Sequence, residues 1–216
     1  MKYFPVFLDL KNRKVVVVGE GPETKDKVLQ ILQTGARVYL INPMPMEWLA
    51  EAPDHSNLVF VEKYFSPSDL NGAWLVMSTS QDEKLNRYIV ESSANRNIFY
   101  NTVDVTNLCS FIMPAIVERD DVSIAISTSG KSPALARKIK RVISTIIGPE
   151  YGKLNDLMGK IRPYVLQKLP DPEKRKKLFH DLVNSSVLET FNRMQPEKAE
   201  KTAWQKVEQT INESSY

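Results

Sequence analysis

The stretch Val15-Val16-Val17-Val18-Gly19-Glu20-Gly21-Pro22-Glu23-Thr24 is a continuous β-branched run that breaks on two glycines and enters a polar, helix-compatible segment. Such a pattern reads as a buried strand, a tight turn and a helix start. Gly19 allows the sharp turn. Gly21 lets the backbone approach a pyrophosphate, whose charge is stabilised by the unpaired N–H groups of the first helical turn, here Pro22, Glu23 and Thr24. Pro22 supplies no N–H, and Glu23 adds a negative charge next to a negative ligand. The third small position of this fingerprint is Thr24, which packs a helix on a strand less closely than Gly or Ala. The same pattern also suits an ordinary strand–turn–helix without a ligand, so its neighbours decide.

Working outward, Val28, Leu29, Ile31 and Leu32 fall at helical spacing between Lys25 and Gln33, and Thr34-Gly35 is a C-terminal stop. Arg37 to Ile41 reads as a second strand. It ends at Asn42, Pro43 and Met44, where a dinucleotide fold places the group that meets the adenosine ribose. An acid there favours a free ribose hydroxyl, whereas Asn42 can hydrogen-bond it without enforcing NAD over NADP by charge. Leu58 to Val61 and Trp74 to Met77 are third and fourth strands, the latter running into Ser78-Thr79-Ser80-Gln81. A helix over Asp82 to Asn95 and a fifth strand, Ile98 to Tyr100, lead to Asn101-Thr102-Val103-Asp104. Alternating strands and helices of this length predict a parallel sheet with helices on both faces. Gly19, Asn42, Ser78, Thr79 and Asp104 should then line one crevice at the strand C-termini. Phe4 to Leu8 is read as a lead-in packed beside the sheet.

After Asp104 the pattern changes. Ser110 to Val117 and Val122 to Ser127, around the charged turn Glu118 to Asp121, predict an antiparallel hairpin. Ser132-Pro133 caps a helix over Ala134 to Ile147, and segments near 150–168, 172–183, 185–193 and 197–212 read as helices. The expected architecture is α/β: a Rossmann-like parallel sheet (1–109), a hairpin-plus-helix dimerisation region (110–148) and an all-helical C-terminal tail (149–216).

Composition narrows the classes of function. A net charge of +3, from 29 basic and 26 acidic residues, does not call for nucleic acid. No apolar run reaches the length of a membrane span, and the N-terminus lacks the apolar core of a signal peptide, so a cytoplasmic protein with no membrane partner is expected. The single cysteine, Cys109, cannot form an internal disulfide, and no histidine lies near it to make it a nucleophile. His55 and His180 have no metal-ligand spacing, so no metal site is expected. Trp48, Trp74, Phe111 and Trp204 read as core or interface packing.

Several segments taken together resemble the precorrin-2 dehydrogenases, which form the N-terminal module of siroheme synthases and also occur as free-standing enzymes. The carriers are Phe4-Pro5-Val6-Phe7, Val17-Val18-Gly19-Glu20-Gly21, Gly35-Ala36-Arg37-Val38, Asn101-Thr102-Val103-Asp104, Ser110-Phe111-Ile112-Met113-Pro114-Ala115, and Gly130-Lys131-Ser132-Pro133-Ala134-Leu135-Ala136-Arg137 after Ser127 to Ser129. The resemblance implies oxidation of precorrin-2 to sirohydrochlorin with NAD as cofactor, in a homodimer. It makes Asp104 the catalytic acid–base group. It also implies that Asn101, Ser127, Thr128, Ser129, Lys131 and Arg137 bind the tetrapyrrole and its carboxylates. Two features depart from the family pattern: Gly21-Pro22-Glu23-Thr24 replaces a third glycine with a Val-Ala continuation, and Ser80-Gln81 replaces an acidic pair. Thr128 stands where some relatives carry a phosphorylated serine. The helical tail leaves no room for a fused methyltransferase half, so another protein is expected to methylate the precursor. Two alternatives stay open: a sirohydrochlorin ferrochelatase, alone or in addition, and a non-catalytic NAD-sensing module that needs the glycine turn but not Asp104.

Overall fold

The computed structural model describes residues 2–50, 56–103 and 108–214. It forms two compact units, Met1–Met113 and Pro114–Tyr216.

The first unit is built on a five-stranded parallel sheet with strands β1 (Lys14–Val18), β2 (Arg37–Asn42), β3 (Leu58–Glu62), β4 (Ala73–Ser78) and β5 (Phe99–Thr102), in the order β3-β2-β1-β4-β5. β1 is central and covered on both faces, which is why it is an unbroken valine run rather than an alternating one. Val15 and Val17 join one core with Val28 and Ile31 of α1 (Gly21–Leu32), while Val16 and Val18 join another with Ile89 of α2 (Glu83–Ala94) and Leu70. The chain leaves β1 toward β2 and β3, then returns to lay β4 on the other side of β1. The strand order therefore reverses at β1, the place where open α/β sheets take their ligands.

α1 begins at Gly21, with Pro22 in its first turn as the glycine-turn stretch implies, and the apolar spacing from Lys25 onward marks its core-facing part. Other expectations are corrected here. The segment from Ser110 does not open the hairpin. Ser110 N–H donates to the Tyr100 carbonyl (2.9 Å), Tyr100 N–H donates to Ser110 Oγ (2.8 Å), and Phe111 and Met113 pack on the α1-side core, so this stretch flanks β5 and the hairpin starts at Ala115. In the lead-in, Phe4 and Phe7 are 81% and 75% exposed, and only Leu10 enters the core. Trp74 is also 42% exposed, its ring lying 3.8 Å from the Arg13 guanidinium.

The second unit carries the antiparallel hairpin β6 (Ala115–Arg119) and β7 (Val122–Ile126), with α3 (Pro133–Ile146) on it. Ser132 caps α3 by accepting the Leu135 N–H at 3.2 Å. Arg119 closes its other end, donating from Nε to the Ile147 carbonyl (2.8 Å) and from Nη2 to the Ser144 carbonyl (3.0 Å). Helices α4 (Glu150–Lys168), α5 (Pro172–Val183), α6 (Val187–Asn192) and α7 (Pro196–Glu213) share a core of Leu157, Ile161, Val165, Leu182, Phe191 and Val207. Among the described residues no helix is long and apolar enough to cross a membrane.

Gly152 lets α4 approach the hairpin turn: a Cβ there would lie 2.6 Å from the Arg119 carbonyl oxygen and overlap the Asp120 carboxylate. Backbone cannot yield as a side chain can, so Gly152→Ala should lower unfolding free energy by about 1–3 kcal/mol in urea titration. An unchanged midpoint would show that α4 does not press on the hairpin.

Candidate functional site

Register brings the site together. Val18 of β1 faces Ile41 of β2 and Ser78 of β4, and Ser78 faces Thr102 of β5. The ladder continues one residue beyond the strands: Gly19 N–H donates to Ile41 O (3.3 Å), Thr79 N–H to Val18 O (2.9 Å), Lys63 N–H to Asn42 O (3.1 Å) and Val103 N–H to Ser78 O (2.9 Å). Residues remote in sequence therefore end side by side at one edge of the sheet.

The turn after β1 is locked by two threonines. Gly19 has φ +140°, and a Cβ there would overlap Thr79 Oγ1, so only glycine admits the Thr79 side chain over the turn. Thr24 is fully buried, and its Oγ1 lies 2.6 Å from the Glu20 carbonyl and 2.6 Å from Thr79 Oγ1. Each hydroxyl has one proton. The Thr24 proton goes to the carbonyl, which can only accept, and Thr79 donates to Thr24. The loop after β4 is held similarly. Ser78 Oγ donates to Asn86 Oδ1 (2.6 Å), and Asn86 Nδ2 donates to the Ser80 carbonyl (2.9 Å).

In front of this floor lies a cleft of about 640 Å³, inside the roughly 300–1,000 Å³ usual for small-molecule sites. Of the expected cofactor contacts, Gly19, Pro22, Glu23, Asn42, Pro43 and Thr79 line it. Thr24 and Ser78 are buried behind its wall, where they shape the site without facing it. Gly21 (φ +84°) has open space where a Cβ would point, and Met44 is 61% exposed. Asp104, expected to be catalytic, and His55 lie outside the described residues.

The residues fit a dinucleotide. The first turn of α1 points unpaired N–H groups at the cleft, one fewer than usual because of Pro22. Asn42 Nδ2 donates to the Met44 carbonyl at 2.8 Å, which fixes the amide and leaves Oδ1 to accept from a ribose hydroxyl. The charge is unfavourable to phosphate, however. Glu20, Glu23 and Asp82 all line the cleft, and Lys63 is the sole cationic side chain among the described lining residues. Lys63 Nζ lies 2.6 Å from Asp69 Oδ1. Burial raises the Asp69 carboxyl, but the Lys63 ammonium and the Ser66 N–H and hydroxyl outweigh it and hold it below the ordinary carboxylate value.

Lys63, Glu20 and Asp82 were not anticipated as cleft residues. The signal for Lys63 was its position, one residue past the end of a strand paired in parallel with β2.

Asn101 is 8% exposed, and its amide donates to the Phe111 carbonyl at 2.9 Å, anchoring the segment that flanks β5. In the second unit, Ser127, Thr128 and Ser129 form a tight loop before α3. Ser129 N–H donates to Ser127 Oγ (3.0 Å), and Thr128 Oγ1 both accepts from Ser132 N–H (3.2 Å) and donates to the Ser132 carbonyl (3.1 Å). Lys131 and Arg137 are exposed beside it.

Family models match almost the whole chain. One described as "Putative NAD(P)-binding" covers residues 6–115, one described as "Sirohaem biosynthesis protein central" covers 119–145, and one described as "Sirohaem synthase dimerisation region" covers 150–207. Siroheme synthase of Thioalkalivibrio sulfidiphilus is 35% identical over 88% of this chain, and that of Photorhabdus laumondii 31% over 97%. The chain spans only 39% and 45% of the length of those two proteins. Among solved structures, SirC, a precorrin-2 dehydrogenase, superposes with a TM-score of 0.75 at 22% identity, covering 94% of this chain and all of its own, which establishes a shared fold. The chain belongs to the NAD(P)-binding family of siroheme biosynthesis proteins.

Thr24→Val keeps the shape of the buried threonine but removes its hydroxyl, leaving Thr79 with only the 3.5 Å Val18 carbonyl as acceptor. Leaving a buried donor without a good partner should cost about 1–3 kcal/mol in chemical denaturation and loosen dinucleotide binding. Wild-type stability in the variant would remove the hydroxyl pair from the account of the turn.

Proposed function

We propose that this chain, as a member of that family, oxidises precorrin-2 to sirohydrochlorin with NAD as the hydride acceptor, in the cytoplasm and as a homodimer. The observation that carries the reading is the cleft at the strand reversal, where the glycine turn, the α1 N-terminus and Asn42 meet. NAD, when bound, supplies the acceptor of two electrons as hydride. The α1 N–H groups hold the pyrophosphate, and Asn42 Oδ1 accepts from the ribose. Asp104 follows β5 in sequence and takes the proton that leaves precorrin-2 as hydride departs from the neighbouring carbon. The rigid loop of Ser127 to Ser129, with Lys131 and Arg137, suits the carboxylates of a tetrapyrrole. Residues 1–109 would thus hold the nucleotide, 110–148 mediate assembly and 149–216 complete it.

Support for a dimer comes from α3. Leu135, Ile139, Val142 and Ile146 recur at intervals of four, three and four residues, the spacing of a coiled-coil seam. Leu135, Val142 and Ile146 are 48%, 51% and 63% exposed. Ile139 packs at the edge of the hairpin core.

Anaerobic incubation with precorrin-2 should reduce NAD, followed by absorbance of the reduced nucleotide. Asp104→Asn should slow this by roughly a hundred- to ten-thousand-fold while NAD affinity stays within a few-fold, because an amide cannot take the proton. Precorrin-2 binding without nucleotide reduction would defeat the dehydrogenase reading, and a fully active Asp104→Asn would favour a nucleotide sensor instead. For assembly, light scattering should give a dimer at micromolar concentration that Val142→Glu converts to monomer. A wild-type monomer would overturn the assembly claim.

A further inference from the structure

Selection between NAD and NADP turns on the 2′ position of the adenosine ribose, which in this fold lies at the end of β2. Asn42 stands there, 7% exposed, and one of its two amide N–H groups is given to the Met44 carbonyl, which orients the side chain and holds Oδ1 as an acceptor for the ligand. A hydroxyl can donate to it. A phosphate, itself an acceptor and an anion, cannot.

NADP sites answer the 2′-phosphate with a cation near this point. Here the candidate is Lys63, whose backbone N–H bonds the Asn42 carbonyl at 3.1 Å and which lines the same cleft. Its ammonium is already engaged. Asp69 Oδ1 lies 2.6 Å from Nζ, while Oδ2 accepts the Ser66 N–H at 2.8 Å. Asp69 is itself held in place by the 3-10 turn Pro67–Leu70, whose last residue, Leu70, is fully buried in the α2-side core. With its side chain 13% exposed, Asp69 is shielded enough to keep the lysine.

We propose that the Lys63–Asp69 ion pair is a specificity element: it withholds the cleft-lining cation from the 2′ position, so that NAD binds and NADP is rejected. The inference rests on the dinucleotide reading above and extends it to a pair of residues outside the glycine turn. Asp69 acts through Lys63, as a positioning residue.

The test is isothermal titration of the full chain with NAD and with NADP. Asp69→Asn is the informative variant, because an asparagine retains an oxygen for the Ser66 N–H while its amide nitrogen confronts Lys63 and frees it. Wild type should bind NAD at least about tenfold tighter than NADP, and Asp69→Asn should tighten NADP by about tenfold, NAD moving less than about twofold. Adding Lys63→Gln to Asp69→Asn should abolish the gain. Lys63→Gln alone should leave the NADP constant within about twofold, since a lysine held by Asp69 contributes nothing to phosphate. That single variant decides the question even if Asp69→Asn does not fold: a several-fold loss of NADP affinity would show Lys63 already serving the phosphate and would overturn the proposal. A folded Asp69→Asn with wild-type NADP affinity would overturn it too, leaving NAD binding intact. A wild-type chain that binds neither nucleotide would instead sink the dinucleotide reading, and the proposal with it.

Discussion

The contact between the Thr24 and Thr79 hydroxyls, made over the bare Cα of Gly19, fixes the geometry on which the first unit depends. It joins three elements remote in sequence: the start of α1, the turn after β1 and the end of β4. Thr79 can lie over the turn only because Gly19 lacks a side chain. Its proton in turn needs the Thr24 oxygen, since the Val18 carbonyl is 3.5 Å away. An alanine or glycine at 24 would pack the helix closer but leave Thr79 without that acceptor. The departure from the usual third glycine is thus matched in this chain by a hydroxyl on the opposing strand end.

The sheet was legible because its signals were local. A valine run covered on both faces, helical spacing in α1 and α2, and the cap at Ser132 each require only neighbours in sequence. The strand-end residues of the cleft followed from the same rule, so Gly19, Asn42 and Thr79 were found where expected. Lys63 was missed because its place in the cleft depends on the pairing of β3 with β2, which no window of sequence contains, whereas Glu20 sits in the glycine turn itself and was passed over between the two glycines. Ser110 to Met113 was misread for a related reason. Its apolar run suits a strand, yet the Ser110 side chain and backbone both pair with Tyr100, ten residues earlier, which competes with continuing the hairpin.

The cleft binds its ligand, on this reading, with little help from cationic side chains. Glu20, Glu23 and Asp82 oppose a pyrophosphate, and Lys63 is tied to Asp69. What remains is the row of N–H groups at the start of α1 and the open approach at Gly21, both fixed by backbone rather than by mobile side chains. Such a site discriminates by shape and by donor–acceptor pattern. Added charge at the 2′ position then meets acceptors on one side and a lysine already neutralised on the other, which is how a cleft without a ribose-binding acid can still prefer the dinucleotide of lower charge.

The second unit poses the opposite problem, too little burial. Among the described residues around the hairpin, Val117, Ile126 and Ala136 are buried and Ala115, Ile124, Ile139 and Ile143 partly so. A lone two-stranded hairpin is marginal in water, and one helix of 14 residues laid on it adds a narrow core. Polar and backbone contacts supply part of the deficit: Arg119 spans from the hairpin to the last carbonyls of α3, and Gly152 brings α4 against the turn. The remaining apolar stripe of α3 faces away from that core, and burying it is worth about 25 cal/mol for each Å² removed from water. A second copy presenting the same seam would cover it by symmetry, since a two-fold interface needs only one self-complementary patch. On that proposal a dimer would complete the core of the hairpin region rather than join two cores already finished.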